Sequence, residues 1–497
     1  MTVAETAYGK IQGTEIADGV LAWRGVPYAA PPTGDLRLRP PRPPEPWAGV
    51  RDALDYGNRS LQPEPDGAPL VPLPPMDEDC LYLNVTAPAD ALSPGPVWSG
   101  DGARPVLLWI HGGGFEMGHG PDQAGDGAAF ARHHGVIVVT FNYRLGALGF
   151  LDVPDERPTG ALGLHDQIAA LRWIRENIAA FGGDPAQVTV YGLSAGGKSV
   201  TNLLASPLTR GLFARAAESS GADHVKSPEQ ARDLAGRFFG VLGTTAQRIR
   251  SVPAADVLAA QLAVAVPPAS TWIWRPSVDG AALTSFPLTA IAGGAAAGVP
   301  LLLQTCARET ALYQLMDPRA AAQAERVLAG YFGQQRAAAL LAGYADAFFE
   351  LDESERRGVT VMTDERYVVR TERLAYAHAA HAPVWRSRYD GRYTGMEDDP
   401  DPEFAQYAPL LHGAHGGDGA GIWHGGDGPA ADLHAAWGAY AAAGDPGWPR
   451  YTADTRTAMI FAAGGAHLAT DPFAFPRETW AGLDWQPGTW WAVEGVS

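Results

Sequence analysis

Two hydrophobic rhythms alternate along the middle of this chain. Short unbroken apolar runs at 105–110, 135–142, 187–193 and 299–305 have the length and composition of strands buried on both faces. Between them the apolar positions recur at helical spacing. Across 165–181, Ile168, Leu171, Ile174 and Ile178 share one face and leave Arg172 and Arg175 on the polar side. Asp166, near the start of that segment, suits the positive end of the helix dipole. Gly182-Gly183-Asp184-Pro185 stops the helix. A further helical run, Ala195–Ala205, follows the strand that ends at Leu193, and 372–381 reads as another helix. Such strands alternating with amphipathic helices predict an α/β fold on a mainly parallel, buried central sheet flanked by helices.

The flanks read differently. The first hundred residues carry Pro31-Pro32, Pro40-Pro41, Pro43-Pro44 and another cluster at 72–75, which blocks long helices and predicts an N-terminal region of short strands and loops. Residues 225–380 are alanine-rich and predict helical insertions, while the glycine-dense segment 413–428 predicts loop. No linker, composition break or long-period repeat divides the chain, so residues 1–497 are expected to form a single domain.

Composition narrows the function classes. With 497 residues, 46% of them hydrophobic and 19% charged, a large packed core is available. The 37 basic residues against 55 acidic ones give a formal charge of −18, which argues against nucleic acid or an anionic membrane as partner. Lys10, Lys198 and Lys226 are the only lysines. Cys80 and Cys306 are too few for a disulfide framework, a single bridge between them remaining to be shown, and metal-ligand spacings are absent. The N-terminus lacks a basic start followed by an apolar run, and no apolar stretch is long enough to span a bilayer, so a soluble, cytoplasmic protein is expected.

The candidate chemistry lies in the α/β region. Gly192-Leu193-Ser194-Ala195-Gly196 places a serine between a strand and a helix, where glycines two residues to either side let neighbouring backbone pass. In a chain with 59 glycines the pattern alone is weak, and its position between the two elements gives it weight. His111-Gly112-Gly113-Gly114 follows a strand and suits a loop that turns backbone N–H groups toward a developing oxyanion. A nucleophilic serine needs a base, and the base needs an orienting carboxylate. Three histidines downstream, His412, His415 and His424, fall in the glycine-rich loop, and spacing does not choose among them. Glu309 stands out as an acid because it closely follows the 299–305 strand. Lys198 lacks a Ser-x-x-Lys spacing and reads as a polar helix position.

Several blocks in order resemble the type-B carboxylesterases of the cholinesterase and carboxylesterase superfamily, especially the bacterial para-nitrobenzyl-esterase-like group. They are Arg24-Gly25-Val26-Pro27-Tyr28-Ala29, Glu78-Asp79-Cys80-Leu81-Tyr82-Leu83-Asn84-Val85, Asn142-Tyr143-Arg144-Leu145-Gly146, Phe181-Gly182-Gly183-Asp184-Pro185 with the serine motif, and Gly444-Asp445-Pro446-Gly447-Trp448-Pro449. The resemblance implies an α/β-hydrolase fold and a serine esterase acting on small, uncharged or weakly charged carboxylic esters, with no metal and no organic cofactor. Carried over residue by residue, it makes Ser194 the nucleophile, Glu309 the acid and His415 the base, with Gly113, Gly114 and Ala195 forming the oxyanion hole and His412 and His424 as bystanders. Nearness to these motifs makes Phe115, Leu193 and Trp423 the pocket candidates; Trp272 and Trp274 are set aside as core. An acyltransferase or cyclase using the same triad, or a non-catalytic binding protein on the same fold, are the alternatives.

Three departures carry expectations. Leu193 replaces the glutamate usual before the serine, so choline esters should be poor substrates. Cys80 has no upstream partner cysteine, in keeping with a reducing compartment. The loop after His415 is richer in glycine than the family pattern, which predicts a loosely held base. Oligomeric state is not readable from the sequence.

Overall fold

The computed structural model describes residues 2–64, 73–92, 102–122, 125–154, 156, 158–265, 272–316, 323–344, 353–392 and 411–487. Among them, thirteen strands join one sheet: β1 Thr2–Thr6, β2 Gly9–Ala17, β3 Val20–Pro27, β4 Val50–Asp52, β5 Tyr82–Pro88, β6 Arg104–Ile110, β7 Ile137–Phe141, β8 Gly183–Leu193, β9 Arg215–Ser219, β10 Leu301–Cys306, β11 Val384–Asp390, β12 Thr457–Ala462 and β13 Gly465–Thr470. Their spatial order is β1-β2-β3-β5-β7-β6-β8-β9-β10-β11-β12-β13, with β4 beside β2. Every neighbouring pair from β7 to β12 is parallel. Toward the two ends of the sheet the pairs are antiparallel, apart from β4, which runs parallel to β2.

The period of two along each strand sorts side chains onto two faces. Val106, Leu108 and Ile110 of β6 join Val139, Val188, Val190 and Leu303 in one buried cluster. The helices Leu162–Asn177 and Ala195–Ala205 cover this cluster with Ile168, Leu171, Ile174, Val200 and Leu203. Leu107 and Trp109 point the other way, into a second cluster with Tyr191, Leu302, Leu433, Trp437 and Tyr440, the last three from the helix Pro429–Ala443. Each fully buried Leu, Ile or Val adds roughly 1.5–3 kcal/mol, so the unbroken apolar runs are what this doubly covered sheet requires. The alanine-rich stretch is largely helical as predicted, and its apolar residues pack in clusters shared with Leu38, Leu148 and Leu162 on one side and with Trp480 and Trp485 on the other.

Several expectations need correction. Asp166 does not serve the helix dipole. It is fully buried on the inner face of its helix, where it accepts from Arg144 Nε at 2.8 Å, Arg144 Nη2 at 2.7 Å and the Arg144 backbone N–H at 3.1 Å. A carboxylate on a buried face has to be matched by a cation held in place, and Arg144 supplies it. The segment 413–428 is not all loop, because Gly419–His424 forms a short helix that buries Ile422 and Trp423. Cys80 and Cys306 are both buried and free, so the bridge between them is absent. Among the described residues no helix is long and apolar enough to cross a membrane.

Candidate active site

The last residue of β8, Leu193, and the first of the following helix, Ala195, leave Ser194 alone at a sharp turn with φ 58° and ψ −118°. Such a backbone is strained for a residue with a side chain and persists only where its surroundings hold it. The holding is steric. A Cβ at Gly192 would lie 2.2 Å from the backbone carbon of Gly196, and one at Gly196 would lie 1.9 Å from the Ile110 carbonyl oxygen. The turn is also tied laterally, because Ser194 N–H donates to the Ser219 carbonyl at the end of β9 at 2.9 Å.

Parts distant in sequence converge on Ser194. His415 Nε2 lies 2.7 Å from Ser194 Oγ, and its Nδ1 lies 2.7 Å from Glu309 Oε2. With the carboxylate accepting from Nδ1–H, Nε2 is left to accept the serine proton. Glu309 follows β10 through a tight turn and is fully buried. Its other oxygen, Oε1, accepts from Ser220 Oγ and from the Cys306 backbone N–H, each at 2.7 Å. His412 and His424 take no part in this row; His424 is exposed.

The base is firmly held, contrary to the expectation from its glycines. Arg308 N–H donates to the Gly413 carbonyl at 2.8 Å, and His415 N–H to the Glu309 carbonyl at 3.2 Å, so the acid and base loops pin each other. Just beyond, buried Asp418 accepts from Ser219 Oγ and Gln304 Nε2. The rings of Tyr313 and Tyr367 flank the imidazole at 5.6 and 5.0 Å between centroids.

The glycine loop after β6 lies against the serine turn. A Cβ at Gly112 would be 3.3 Å from Ser194 Cβ, and one at Gly114, whose φ is 65°, would sit 2.4 Å from the Trp272 ring. His111 anchors this loop. Its ring stacks on Tyr143 at 4.4 Å, its Nδ1–H donates to the Gly112 carbonyl at 2.9 Å, and burial pushes its pKa down to about 3, so it is neutral.

A cavity opens onto Ser194, Ala195, Gly114 and Phe115. Of the three pocket candidates, only Phe115 lines it. Leu193 and Trp423 are instead buried in the core on the opposite face of the sheet, where Trp423 packs on Trp109 at 5.1 Å. Strand alternation turns Leu193 to the same face as Tyr191. Trp272, set aside in the sequence, is on the cavity wall, while Trp274 is buried beneath the insertions.

Lys198 also departs from its reading as a polar helix position. It is 7% exposed, lines the cavity, and places its ammonium 4.7 Å from the centre of the Tyr367 ring. Burial lowers its pKa to about 7. The spacing held a signal for it: a residue four past Ser194 lies one helical turn on, above the same face. Tyr313, Arg366, Tyr367, His224 and Arg275 complete the wall. His224 comes from the loop after β9 and the others from the insertions, Arg366 and Tyr367 from the π-helical turn Asp364–Val368, and nothing in the local sequence marks them as neighbours of Ser194.

Comparison with known proteins gives one answer. The model of the carboxylesterase family matches residues 1–423. The para-nitrobenzyl esterase of Bacillus subtilis (strain 168) is 40% identical over 399 residues, covering 78% of this chain and 78% of the relative. The fumonisin B1 esterase of Sphingopyxis macrogoltabida is 33% identical over 488 residues, covering 90% of this chain and 84% of the relative. The structure of the Geobacillus stearothermophilus carboxylesterase EST55 at pH 6.2 superposes with a TM-score of 0.81 at 35% identity, covering 97% of this chain and 100% of that one.

Proposed function

The chain belongs to the carboxylesterase family, has the α/β-hydrolase fold and is a serine carboxylesterase acting on small-molecule esters, and we propose that Ser194, His415 and Glu309 carry out its reaction. The observation that carries this assignment is the unbroken row from Glu309 through His415 to Ser194 Oγ, with 2.7 Å at each step.

His415 Nε2 takes the proton as Ser194 Oγ attacks the ester carbonyl, and Glu309 holds the ring in the required tautomer and stabilises the imidazolium. The backbone N–H groups of Gly113, Gly114 and Ala195 receive the developing oxyanion, and the strained backbone of the turn keeps Oγ exposed to the cavity. The imidazolium then gives its proton to the departing alkoxide, and the alcohol leaves. Water, deprotonated by the same nitrogen, attacks the acyl-enzyme; the acid departs and Ser194 regains its proton.

The acyltransferase, cyclase and non-catalytic readings are not favoured, since the relatives are ester hydrolases and the row of three side chains is intact. Leu193 faces the core on the far side of the sheet, so poor turnover of choline esters is supported instead by the cavity lining, which includes no carboxylate among the described residues. We read residues 1–497 as one catalytic unit, supported by the continuous sheet. Cytoplasmic residence is supported by the two free, buried cysteines.

A fluorophosphonate probe tests the nucleophile directly. A single adduct on the peptide containing Ser194, lost together with ester turnover in Ser194→Ala, is the expected result. Turnover retained in that variant removes the assignment.

A further inference from the structure

We propose that this esterase accepts esters bearing a carboxylate, and that Lys198, with Arg275 and Arg366 beside it on the cavity wall, binds that carboxylate while the ester carbonyl reaches Ser194. The inference deepens the esterase reading and rests on it.

Every charged side chain among the described residues lining the cavity is cationic: Lys198, Arg275 and Arg366. All three are more than nine-tenths buried. The chain as a whole carries −18, so this wall inverts the sign of the molecule. Lys198 is the telling member. Among the described residues its ammonium has no hydrogen bond and no ion pair to protein, only the face of Tyr367 at 4.7 Å. A buried ammonium without an anion is costly, and retaining one on a cavity wall points to a partner that arrives from solvent.

The nearest acids are committed elsewhere. Glu309 gives its oxygens to His415, Ser220 and the Cys306 amide. Glu218 accepts from Thr201 Oγ1 at 2.6 Å and from the Ala222 amide at 3.0 Å. Behind the arginines, Glu365 accepts from Trp485 Nε1 at 2.9 Å and lies 3.6 Å from Arg366 Nε. Glu116 accepts from the Trp274 amide at 3.3 Å, and burial raises its pKa to about 7, which weakens it as a counter-ion. None of these four carboxyls lines the cavity. The register is also favourable. Lys198 N–H donates to the Ser194 carbonyl at 2.8 Å, so the two side chains are one helical turn apart, and an anion held by Lys198 sits only a few bonds from a carbonyl under attack.

Paired esters, matched in shape and differing in charge, test this. At about pH 6.5, ethyl hydrogen glutarate is compared with ethyl valerate for charge on the acyl half, and carboxymethyl butyrate with propyl butyrate for charge on the alcohol half. In wild type at least one charged ester is expected to exceed its neutral partner by roughly tenfold in kcat/KM, chiefly through KM. That ratio is expected to fall toward one in Lys198→Met and to be largely kept in Lys198→Arg. Because each ratio is taken on a single preparation, partial misfolding of a variant cancels. Wild-type ratios at or below one for both pairs overturn the inference, as does a ratio that survives unchanged in Lys198→Met. Ser194→Ala run alongside separates the two levels. Serine-dependent turnover without charge preference sinks only this inference, whereas no serine-dependent turnover of any ester sinks the esterase assignment itself.

Discussion

Ser220 Oγ donates to Glu309 Oε1 at 2.7 Å and so fixes which carboxylate oxygen, Oε2, is left for His415. The serine is itself braced: its φ is 53°, and its N–H donates to the Gln304 carbonyl at 2.9 Å. Removing the hydroxyl leaves the Cys306 amide as the remaining donor to Oε1 and so loosens the carboxylate without deleting the acid. Ser220→Ala should therefore lower kcat by about 10- to 100-fold with little change in KM, well short of the roughly 10⁴-fold loss expected for Glu309→Gln. Steady-state kinetics on p-nitrophenyl acetate decide it; equal losses in the two variants would show that Ser220 has no separate positioning role.

The three loop histidines should separate cleanly. His415→Ala is expected to lose on the order of 10⁴-fold or more in kcat, whereas His412→Ala and His424→Ala, which stand outside the hydrogen-bonded row, should stay within about twofold of wild type. The same turnover assay reads all three.

A methyl group at Gly114 tests the glycine loop. It would meet the Trp272 ring at 2.4 Å in a backbone with φ 65°, so the loop must shift and carry its amide away from the serine. Gly114→Ala should cost on the order of 10²- to 10³-fold in kcat. Circular dichroism is expected to show native secondary structure, and full activity would remove Gly114 from the oxyanion hole.

Acid sensitivity should trace in part to His111. Its pKa is about 3 in the folded protein against an ordinary 6.5, so the unfolded chain binds the extra proton first as pH falls. The stability contributed by the neutral ring is fully present above about pH 6.5 and is lost progressively down to about pH 3. His111→Phe should show a stability-versus-pH slope between those limits shallower by about one proton, roughly 1.4 kcal/mol per pH unit. Urea unfolding at several pH values measures it, and identical slopes would refute it.

The Arg144–Asp166 pair lies wholly in the core. Asp166→Asn leaves the guanidinium without a counter-charge and should cost about 3–5 kcal/mol, visible as a lowered urea midpoint. A shift under about 1 kcal/mol would mean that the neutral amide satisfies Arg144 equally well.

The elements around Ser194 were legible because each is dictated locally. An apolar run followed by glycine, serine and glycine has few ways to pack, and the predicted helix Ala195–Ala205 matches the observed one residue for residue. Glu309 and His415 were assignable through family resemblance, since spacing left three histidines open. Leu193 and Trp423 were misassigned to the pocket because nearness in sequence to a motif says nothing about which face of a sheet a side chain takes. Asp166 misled for a similar reason: the dipole argument looks along a helix, whereas its role is set across it by Arg144. Arg366 and Tyr367 were missed because a cavity wall is assembled from segments that only the tertiary fold brings together, whereas Lys198, one helical turn past Ser194, was legible and was read as a polar helix position instead.

Ser194 and His415 stand 221 positions apart, and Glu309 lies between them in the sequence. Loop-closure entropy must be overcome before such remote contacts can form. Esterase turnover should consequently return late during renaturation, after far-ultraviolet signals have recovered, and makes a stricter gauge of a completed fold than helix content does.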